Sequence, residues 1–263
     1  MKLIKGCFYL AAVCLLLGAT QSQPVRIFLA GDSTMATQQE YRTVTDSATG
    51  QKFEETMPMK GWGQMLPDFF NQKDVVILNK ALNGRSSLSY RTEGHWDKMI
   101  AQVKKGDYVV IEFGHNDESQ QKVGRYSTPE DYRKNLERYL DEVQAKGAVP
   151  ILCTPIARRK FDKRDKFVDT HGVYTDAVRE IARERKVLLV DMESASRKLI
   201  EEYGVEKSRE LFFHIQPGIN KIFPNGREDN THFSEKGARI MAKLFVDGIK
   251  ALNIRELAEH LKI

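Results

Sequence analysis

Short apolar runs that alternate with amphipathic helical patterns limit what this 263-residue chain can fold into. The five runs occupy residues 25–30, 75–78, 108–113, 149–153 and 187–190, and polar segments follow them. Runs of this length and composition are typical of strands that are buried on both faces. Between them lie helical patterns, the clearest of which cover residues 129–146, 171–185 and 234–250.

Strands that alternate with helices form right-handed crossovers, and therefore a parallel sheet with helices on both faces. The sequence predicts one α/β domain, a doubly wound, flavodoxin-like sandwich around a central parallel sheet of about five strands. Residues 37–60 and 212–228 do not fit the alternation, and we interpret them as loop insertions. In such sheets ligands bind beyond the carboxyl ends of the strands, so the residues after each run are the candidates for chemistry.

The first 22 residues have the pattern of a secretory signal peptide. Lys2 and Lys5 precede an apolar run over residues 8–17, and small and polar residues follow it. A membrane-spanning helix needs roughly 20 apolar residues, about twice this run. A buried N-terminal helix and a lipoprotein signal at Cys14 are the alternatives. We expect cleavage near Ser22, which leaves a mature domain of residues 23–263 that is exported, to a periplasm or out of the cell, and is not held in a membrane.

Charge and motif content limit the classes of partner and cofactor. The formal charge is +5, from 41 basic and 36 acidic residues whose signs are interspersed along the chain. Without a basic stripe or an aromatic platform, this distribution argues against nucleic-acid binding. The chain has no Cys/His spacing typical of zinc, and no G-x-G-x-x-G or P-loop motif after a strand. We therefore predict no metal and no other cofactor.

Polar, glycine-containing segments follow the first three strands. Ser33 comes directly after the first strand and is a candidate nucleophile, although a helix cap at Asp32 or Ser33 would explain the same residues. Gly84 follows the second strand, and Asn116 follows the third. Backbone and amide N–H groups at strand ends suit the binding of an oxyanion, but each segment taken alone is also compatible with an ordinary turn.

An acid–base pair precedes the last helix, where Asp229 stands three residues before His232. In a turn, this spacing lets the carboxylate accept a hydrogen bond from the imidazole Nδ1–H, which leaves Nε2 free to take a proton from a serine. A solvated surface pair has the same spacing. Because all four polar segments fall at one predicted edge of the sheet, we expect Ser33 and His232 to lie close together.

These four segments resemble the four blocks of the SGNH, or GDSL-like, hydrolase superfamily, and the resemblance extends from the first strand to the last helix. It implies that residues 23–263 form a single SGNH hydrolase domain. It also implies that Ser33 is the nucleophile, His232 the general base and then acid, and Asp229 the carboxylate that orients His232. The oxyanion hole would consist of the backbone N–H groups of Ser33 and Gly84 and the side-chain amide of Asn116.

A narrower resemblance is to rhamnogalacturonan acetylesterases. It rests on Gly31-Asp32-Ser33-Thr34-Met35-Ala36, Gly61-Trp62-Gly63, Gly84-Arg85-Ser86-Ser87, Gly114-His115-Asn116-Asp117 and Asp169-Thr170-His171-Gly172. This resemblance implies a secreted serine esterase that removes acetyl groups from pectin, so that the partner is an acetylated polysaccharide or oligosaccharide. An acetylxylan esterase or a broad esterase of small esters is the alternative on the same fold. A non-catalytic carbohydrate-binding module would lack at least one block, and none is missing.

Five residues are candidates for contact with the substrate: Trp62, Arg85, His171, Arg158 and Arg159. Tryptophan in a cleft can stack on a sugar ring, but in a helix it is more often part of the core. The two consecutive arginines begin a basic cluster that also holds Lys160, Lys163 and Arg164, and this cluster either attracts galacturonate carboxylates or is a solvated loop. The acetylated position, the chain length and the oligomeric state do not follow from the sequence.

Overall fold

The computed structural model of the protein describes residues 23–46 and 49–262. The predicted signal peptide lies outside the described residues. The strands are β1 (Val25–Gly31), β2 (Tyr41–Thr45), β3 (Lys52–Thr56), β4 (Met59–Lys60), β5 (Val75–Asn79), β6 (Tyr108–Glu112), β7 (Val149–Cys153), β8 (Leu188–Val190), β9 (Phe212–Ile215) and β10 (Arg227–Ser234). The α-helices are α1 (Trp62–Met65), α2 (Ser87–Thr92), α3 (His95–Ile100), α4 (Pro129–Ala145), α5 (Val173–Arg185), α6 (Met192–Lys207), α7 (Glu235–Ala251) and α8 (Arg255–Ala258), with 3₁₀ turns at Leu66–Phe69 and Ser208–Leu211.

A parallel sheet of five strands in the order β5-β1-β6-β7-β8 forms the centre of the molecule. Strand β1 lies between β5 and β6, and Ile27 pairs with Ile77 on one side and with Tyr108 on the other. The predicted α/β fold is therefore confirmed. All five predicted strands and the three predicted helices occur, with ends within two residues of those expected from the sequence.

Both faces of the sheet are buried, and β1 contributes to both cores. Ile27 belongs to the core that contains Trp62 and the buried face of α7, whereas Phe28 belongs to the core that contains Trp96 and the buried faces of α4 and α5. All four side chains are fully buried. A strand between two cores needs apolar residues at every position, which explains the continuous runs in the sequence.

The two predicted loop insertions contain regular structure. Residues 37–60 form the hairpin β2–β3 and the short strand β4, and residues 212–228 begin with β9. Strands β4, β10 and β9 make a separate antiparallel sheet. The insertions also contact each other, since Asn220 Nδ2 donates to the Thr56 carbonyl oxygen at 3.0 Å and the Lys221 ammonium lies 4.2 Å from the centre of the Phe53 ring.

Helix α6 is absent from the sequence-based prediction. Its buried positions are Met192, Glu193, Ser196 and Ile200, so half of its inner face is polar and the apolar stripe that predicts a helix is weak. Within the described part of the chain, no helix combines the length and the apolar character needed to cross a membrane.

Candidate active site

Ser33 lies at the carboxyl end of β1, in a turn that Asp32 closes. Asp32 Oδ1 accepts hydrogen bonds from the backbone N–H of Thr34 at 2.9 Å and from its hydroxyl at 2.8 Å. The carbonyl oxygen of Asp32 accepts from the N–H of Ala36 at 3.0 Å. The segment is a turn and no helix begins there, so the alternative of a helix cap is wrong. The turn leaves Ser33 partly exposed at the edge of the sheet.

Asp229 and His232 form the expected pair within β10. Asp229 Oδ2 lies 2.9 Å from His232 Nδ1, and Asp229 Oδ1 accepts from the backbone N–H groups of Thr231 and His232, each at 2.9 Å. The pairing of β10 with β9 is irregular between Asp229 and Phe233. The predicted turn is therefore a bulge in β10, the central strand of the small antiparallel sheet, and the bulge bends the backbone enough for these short-range bonds.

The structure brings Ser33, His232 and Asp229 into one hydrogen-bonded row. His232 Nε2 lies 2.8 Å from Ser33 Oγ. Burial raises the pKa of Asp229, but the hydrogen bond and charge of His232 outweigh it and hold that pKa below its usual range. The ionised carboxylate fixes the proton of His232 on Nδ1, so that the lone pair of Nε2 faces the serine hydroxyl. The side chain of His232 keeps 26% of its surface exposed, whereas that of Asp229 keeps 9%.

The three predicted oxyanion donors each keep an unused proton. Gly84 follows β5 with a φ of +74°, a conformation that glycine adopts without strain. No described residue accepts a hydrogen bond from the backbone N–H of Ser33 or Gly84. Asn116 Nδ2 carries two protons and donates one of them to the Arg85 carbonyl oxygen at 2.9 Å, while Asn116 Oδ1 accepts from the Lys122 ammonium at 2.7 Å.

A buried acid lies next to the turn that carries Ser33. The Thr34 hydroxyl stands between Asp32 Oδ1 at 2.8 Å and Glu112 Oε1 at 3.1 Å, and one hydroxyl proton cannot serve two ionised carboxylates. Burial and the charge of Asp32 raise the pKa of Glu112 to about 8, while His115, against the effect of burial, lowers the pKa of Asp32 to about 2. The extra proton therefore belongs to Glu112. The sequence signal for this site is the single charged residue in the apolar run 108–113.

Two histidines next to this turn share one acceptor. His115 Nε2 and His171 Nε2 both donate to the Ile156 carbonyl oxygen at 3.0 Å, while their Nδ1 atoms face Asp32 and Glu118. Among the described residues, no group of three or more His, Cys, Asp or Glu is arranged to hold a metal ion. His171 is 3% exposed and has no free ring nitrogen, so the expectation that it binds substrate directly is wrong.

Trp62 and Arg159 are also structural. Trp62 is fully buried and its Nε1 donates to Glu112 Oε2 at 2.8 Å, so neither face of the ring is available to a sugar. Arg159 is 8% exposed and donates to Ser208, to the Val205 carbonyl oxygen and to Asn230, which lies between Asp229 and His232. The predicted substrate contacts of Trp62 and Arg159 are therefore wrong, because packing against distant residues uses both side chains.

Arg85 and Arg158 are partly exposed, but carboxylates neutralise both. Arg85 pairs with Glu93 at 2.7 Å, and Arg158 pairs with Glu118. Arg158 also lines an open cleft of about 670 Å³ that extends to Tyr174. Contact of these two arginines with substrate stays a prediction.

Comparison with known proteins agrees with this geometry. The GDSL-like Lipase/Acylhydrolase family matches residues 29–240. The chain belongs to this family. This GDSL-family hydrolase is 37% identical over 239 residues to the rhamnogalacturonan acetylesterase RhgT of Bacillus subtilis (strain 168), which covers 91% of this chain and 95% of that protein. It is 33% identical over 229 residues to "Probable rhamnogalacturonan acetylesterase YesY" of the same strain, with coverage of 87% and 94%.

A solved structure shares the fold of this GDSL-family hydrolase. The crystal structure of an acetylxylan esterase from Geobacillus stearothermophilus superposes with a TM-score of 0.58 at 19% identity, over 86% of this chain and 94% of that one. Both predicted resemblances, to the superfamily and to the rhamnogalacturonan acetylesterases, are confirmed by these comparisons. The prediction that the protein is an enzyme, a carboxylic ester hydrolase, is likewise confirmed.

Proposed function

We propose that this hydrolase removes O-acetyl groups from rhamnogalacturonan through an acetyl-enzyme formed on Ser33. The observation that carries the proposal is the 2.8 Å contact between His232 Nε2 and Ser33 Oγ, with Asp229 behind the imidazole. Identity of 37% to a rhamnogalacturonan acetylesterase over most of the chain supports the choice of substrate. Acetylxylan is the competing substrate, and the structural neighbour that acts on it supports only the shared fold.

Acylation uses the row of three residues and the three N–H donors. A serine hydroxyl is a weak nucleophile until a base removes its proton, and His232 Nε2 takes that proton as Ser33 Oγ attacks the acetyl carbonyl carbon. Asp229 stabilises the imidazolium that forms. The backbone N–H groups of Ser33 and Gly84 and the Asn116 amide bind the carbonyl oxygen as it becomes negative. His232 then donates its proton to the sugar oxygen, and the ester bond breaks.

Deacylation reverses the roles with water as the nucleophile. His232 Nε2 takes a proton from water, the hydroxide attacks the acetyl-Ser33 carbonyl, and the same donors stabilise the second oxyanion. His232 returns the proton to Ser33 Oγ, and acetate leaves. The whole cycle needs only groups of this chain and one water molecule.

Export is part of the proposal, because an enzyme that acts on a polymer of the plant cell wall has to reach it outside the cell that makes the enzyme. The support is the signal-peptide pattern of residues 1–22. Protein recovered from the periplasm or the medium should begin near residue 23 when its N-terminus is sequenced. An intact N-terminus on cytosolic protein would contradict export without affecting the chemistry.

Replacing the nucleophile tests the chemistry. We expect Ser33→Ala to lower kcat for 4-nitrophenyl acetate by on the order of 10⁴-fold or more, because the acetyl-enzyme cannot form. Thr43→Ala is the matched control, since it removes an exposed hydroxyl from the hairpin β2–β3. Activity of Ser33→Ala equal to that of Thr43→Ala would refute the assignment.

Acetate release from a panel of polymers tests the substrate. Wild-type enzyme should release acetate faster from acetylated rhamnogalacturonan than from acetylated xylan or acetylated galactomannan, and Ser33→Ala should release none from any of them. Faster release from xylan would establish the competing function. Equal release from all three would indicate an esterase of broad specificity.

A further inference from the structure

An arginine that none of the sequence motifs contains lies against the glycine of the oxyanion site. Arg125 belongs to the loop between β6 and α4. A Cβ atom built on Gly84 would stand 2.9 Å from Arg125 Nη1, 3.5 Å from Cζ and 3.7 Å from Nη2. The guanidinium therefore packs directly on the Cα of Gly84. Glycine suits this position for two reasons. Its φ is positive, and a side chain would collide with the guanidinium.

The guanidinium of Arg125 has no partner among the described residues. None of them accepts a hydrogen bond from the side chain or forms an ion pair with it. The other arginines near the site differ, since Arg85 pairs with Glu93 and Arg158 with Glu118. Arg125 is partly buried, so an unpaired charge there lacks part of its hydration. The planar guanidinium has several N–H donors free, and their geometry suits the two oxygens of a carboxylate.

Lys122 supplies a second cation on the same loop. Its ammonium donates to Asn116 Oδ1 at 2.7 Å, on the amide whose Nδ2 is the proposed oxyanion donor. Burial and the charges of Arg158 and Arg125 lower the pKa of Lys122, so the three cations lie within reach of one another. The nearby Glu118 is already bound by Arg158 and His171. Arg125 and Lys122 are therefore two cations beside the proposed oxyanion site that form no ion pair with a carboxylate among the described residues.

We propose that Arg125 binds a carboxylate of the substrate and makes the enzyme selective for acetylated uronic-acid chains over neutral ones. The inference rests on the proposed function for the ester chemistry and names the charged group that accompanies the ester. Because the guanidinium touches Gly84, a bound carboxylate lies next to the carbonyl oxygen that the Gly84 N–H holds. The short distance between that carboxylate and the ester carbonyl suits a carboxylate on the acetylated sugar or on the neighbouring sugar of the chain.

A matched pair of substrates isolates the effect of the carboxylate. The pair is an acetylated oligogalacturonide with free carboxylates and the same oligomer after methyl esterification of those carboxylates. We expect wild-type enzyme to have the higher kcat/KM on the free acid, and Arg125→Gln to reduce the ratio of the two values by about tenfold, as expected for the loss of one charge-assisted hydrogen-bonded pair. Arg125→Lys retains the positive charge, so it should retain part of the preference for the free acid.

Arg164→Gln is the control, because it removes one positive charge from the exposed basic cluster, where the side chain is 79% exposed. It should keep the wild-type ratio. A ratio in Arg125→Gln equal to that in Arg164→Gln would overturn the proposal. Thermal unfolding of all three variants would show whether each is folded.

Inhibition provides a readout that does not depend on which polymer is the substrate. Hydrolysis of 4-nitrophenyl acetate is measured with non-acetylated oligogalacturonide, or with a neutral galactose oligomer, as the inhibitor. Arg125→Gln should raise the inhibition constant of the acidic oligomer about tenfold and leave that of the neutral oligomer unchanged. An unchanged constant for the acidic oligomer would refute the role of Arg125. If wild-type enzyme is inhibited as expected but deacetylates only xylan, the proposed substrate and the selectivity for uronic-acid chains both fail, and only the binding of a carboxylate by Arg125 stands.

Discussion

The side chain of Asn116 is held at both of its polar atoms. Nδ2 donates to the Arg85 carbonyl oxygen at 2.9 Å, and Oδ1 accepts from Lys122 at 2.7 Å. A rotation that exchanged Nδ2 and Oδ1 would break both hydrogen bonds, so the second Nδ2 proton has a fixed direction before substrate arrives. A donor that is oriented in advance stabilises developing charge without reorganisation at the moment of reaction.

Truncation of this amide should therefore affect the transition state more than substrate binding. We expect Asn116→Ala to lower kcat for 4-nitrophenyl acetate by about 10²- to 10³-fold with a small change in KM. Asn71→Ala is the matched control, because Asn71 is exposed and precedes β5 at the opposite edge of the sheet. A rise in KM with unchanged kcat would contradict an oxyanion role for Asn116.

At the scale of elements, one buried carboxylate joins the loops that follow β5 and β6. Asp117 accepts hydrogen bonds from the backbone N–H of Ser87, at 3.0 and 3.2 Å, and from its hydroxyl. Ser87 begins α2, and Asp117 directly follows Asn116. This contact therefore sets the distance between Gly84 and Asn116, the two proposed oxyanion donors that come from different loops.

Removal of the carboxylate should loosen both loops. We expect Asp117→Asn to lower the free energy of unfolding by about 1–3 kcal/mol, since the amide NH₂ group would face the Ser87 N–H and leave buried donors unsatisfied. The variant should also have a lower kcat. Urea denaturation and steady-state kinetics measure the two effects, with Asp97→Asn on the exposed face of α3 as control. Unchanged kcat in a destabilised variant would show that Asp117 supports the fold and not the oxyanion site.

For the whole molecule, Glu112 couples stability to pH. Burial and the charge of Asp32 raise the pKa of Glu112 to about 8 from an ordinary value of 4.5. Between these values the folded protein keeps a proton that the unfolded chain releases, so the native state binds more protons. The contribution of Glu112 to the free energy of unfolding is therefore largest below pH 4.5 and decreases as the pH rises toward 8.

Glu112→Gln should remove this dependence, because the amide does not titrate. The difference in free energy of unfolding between wild type and Glu112→Gln should change by up to about 1.4 kcal/mol per pH unit, with the wild type losing stability as the pH rises from 5 to 8. Urea denaturation of both proteins at several pH values measures it. If the free energies of unfolding of the two proteins changed with pH in parallel over this range, Glu112 would be ionised in the folded protein.

The sheet, the main helices and the three residues of the hydrogen-bonded row could all be predicted from the sequence. Buried strands and amphipathic helices are set by the composition of short segments, and parallel topology brings the segments after those strands to one edge. Asp229 and His232 are three residues apart, so their contact is also local.

Which of the candidate side chains are accessible to a substrate could not be predicted, because accessibility depends on long-range contacts. Trp62 is buried and hydrogen-bonded to Glu112, which lies 50 residues away in the sequence. His171 is buried and hydrogen-bonded to Glu118, which lies 53 residues away. Arg125 becomes part of the site because its loop packs on Gly84. Exposure and charge pairing depend on contacts between distant segments, and residue type and local spacing carry no information about those contacts.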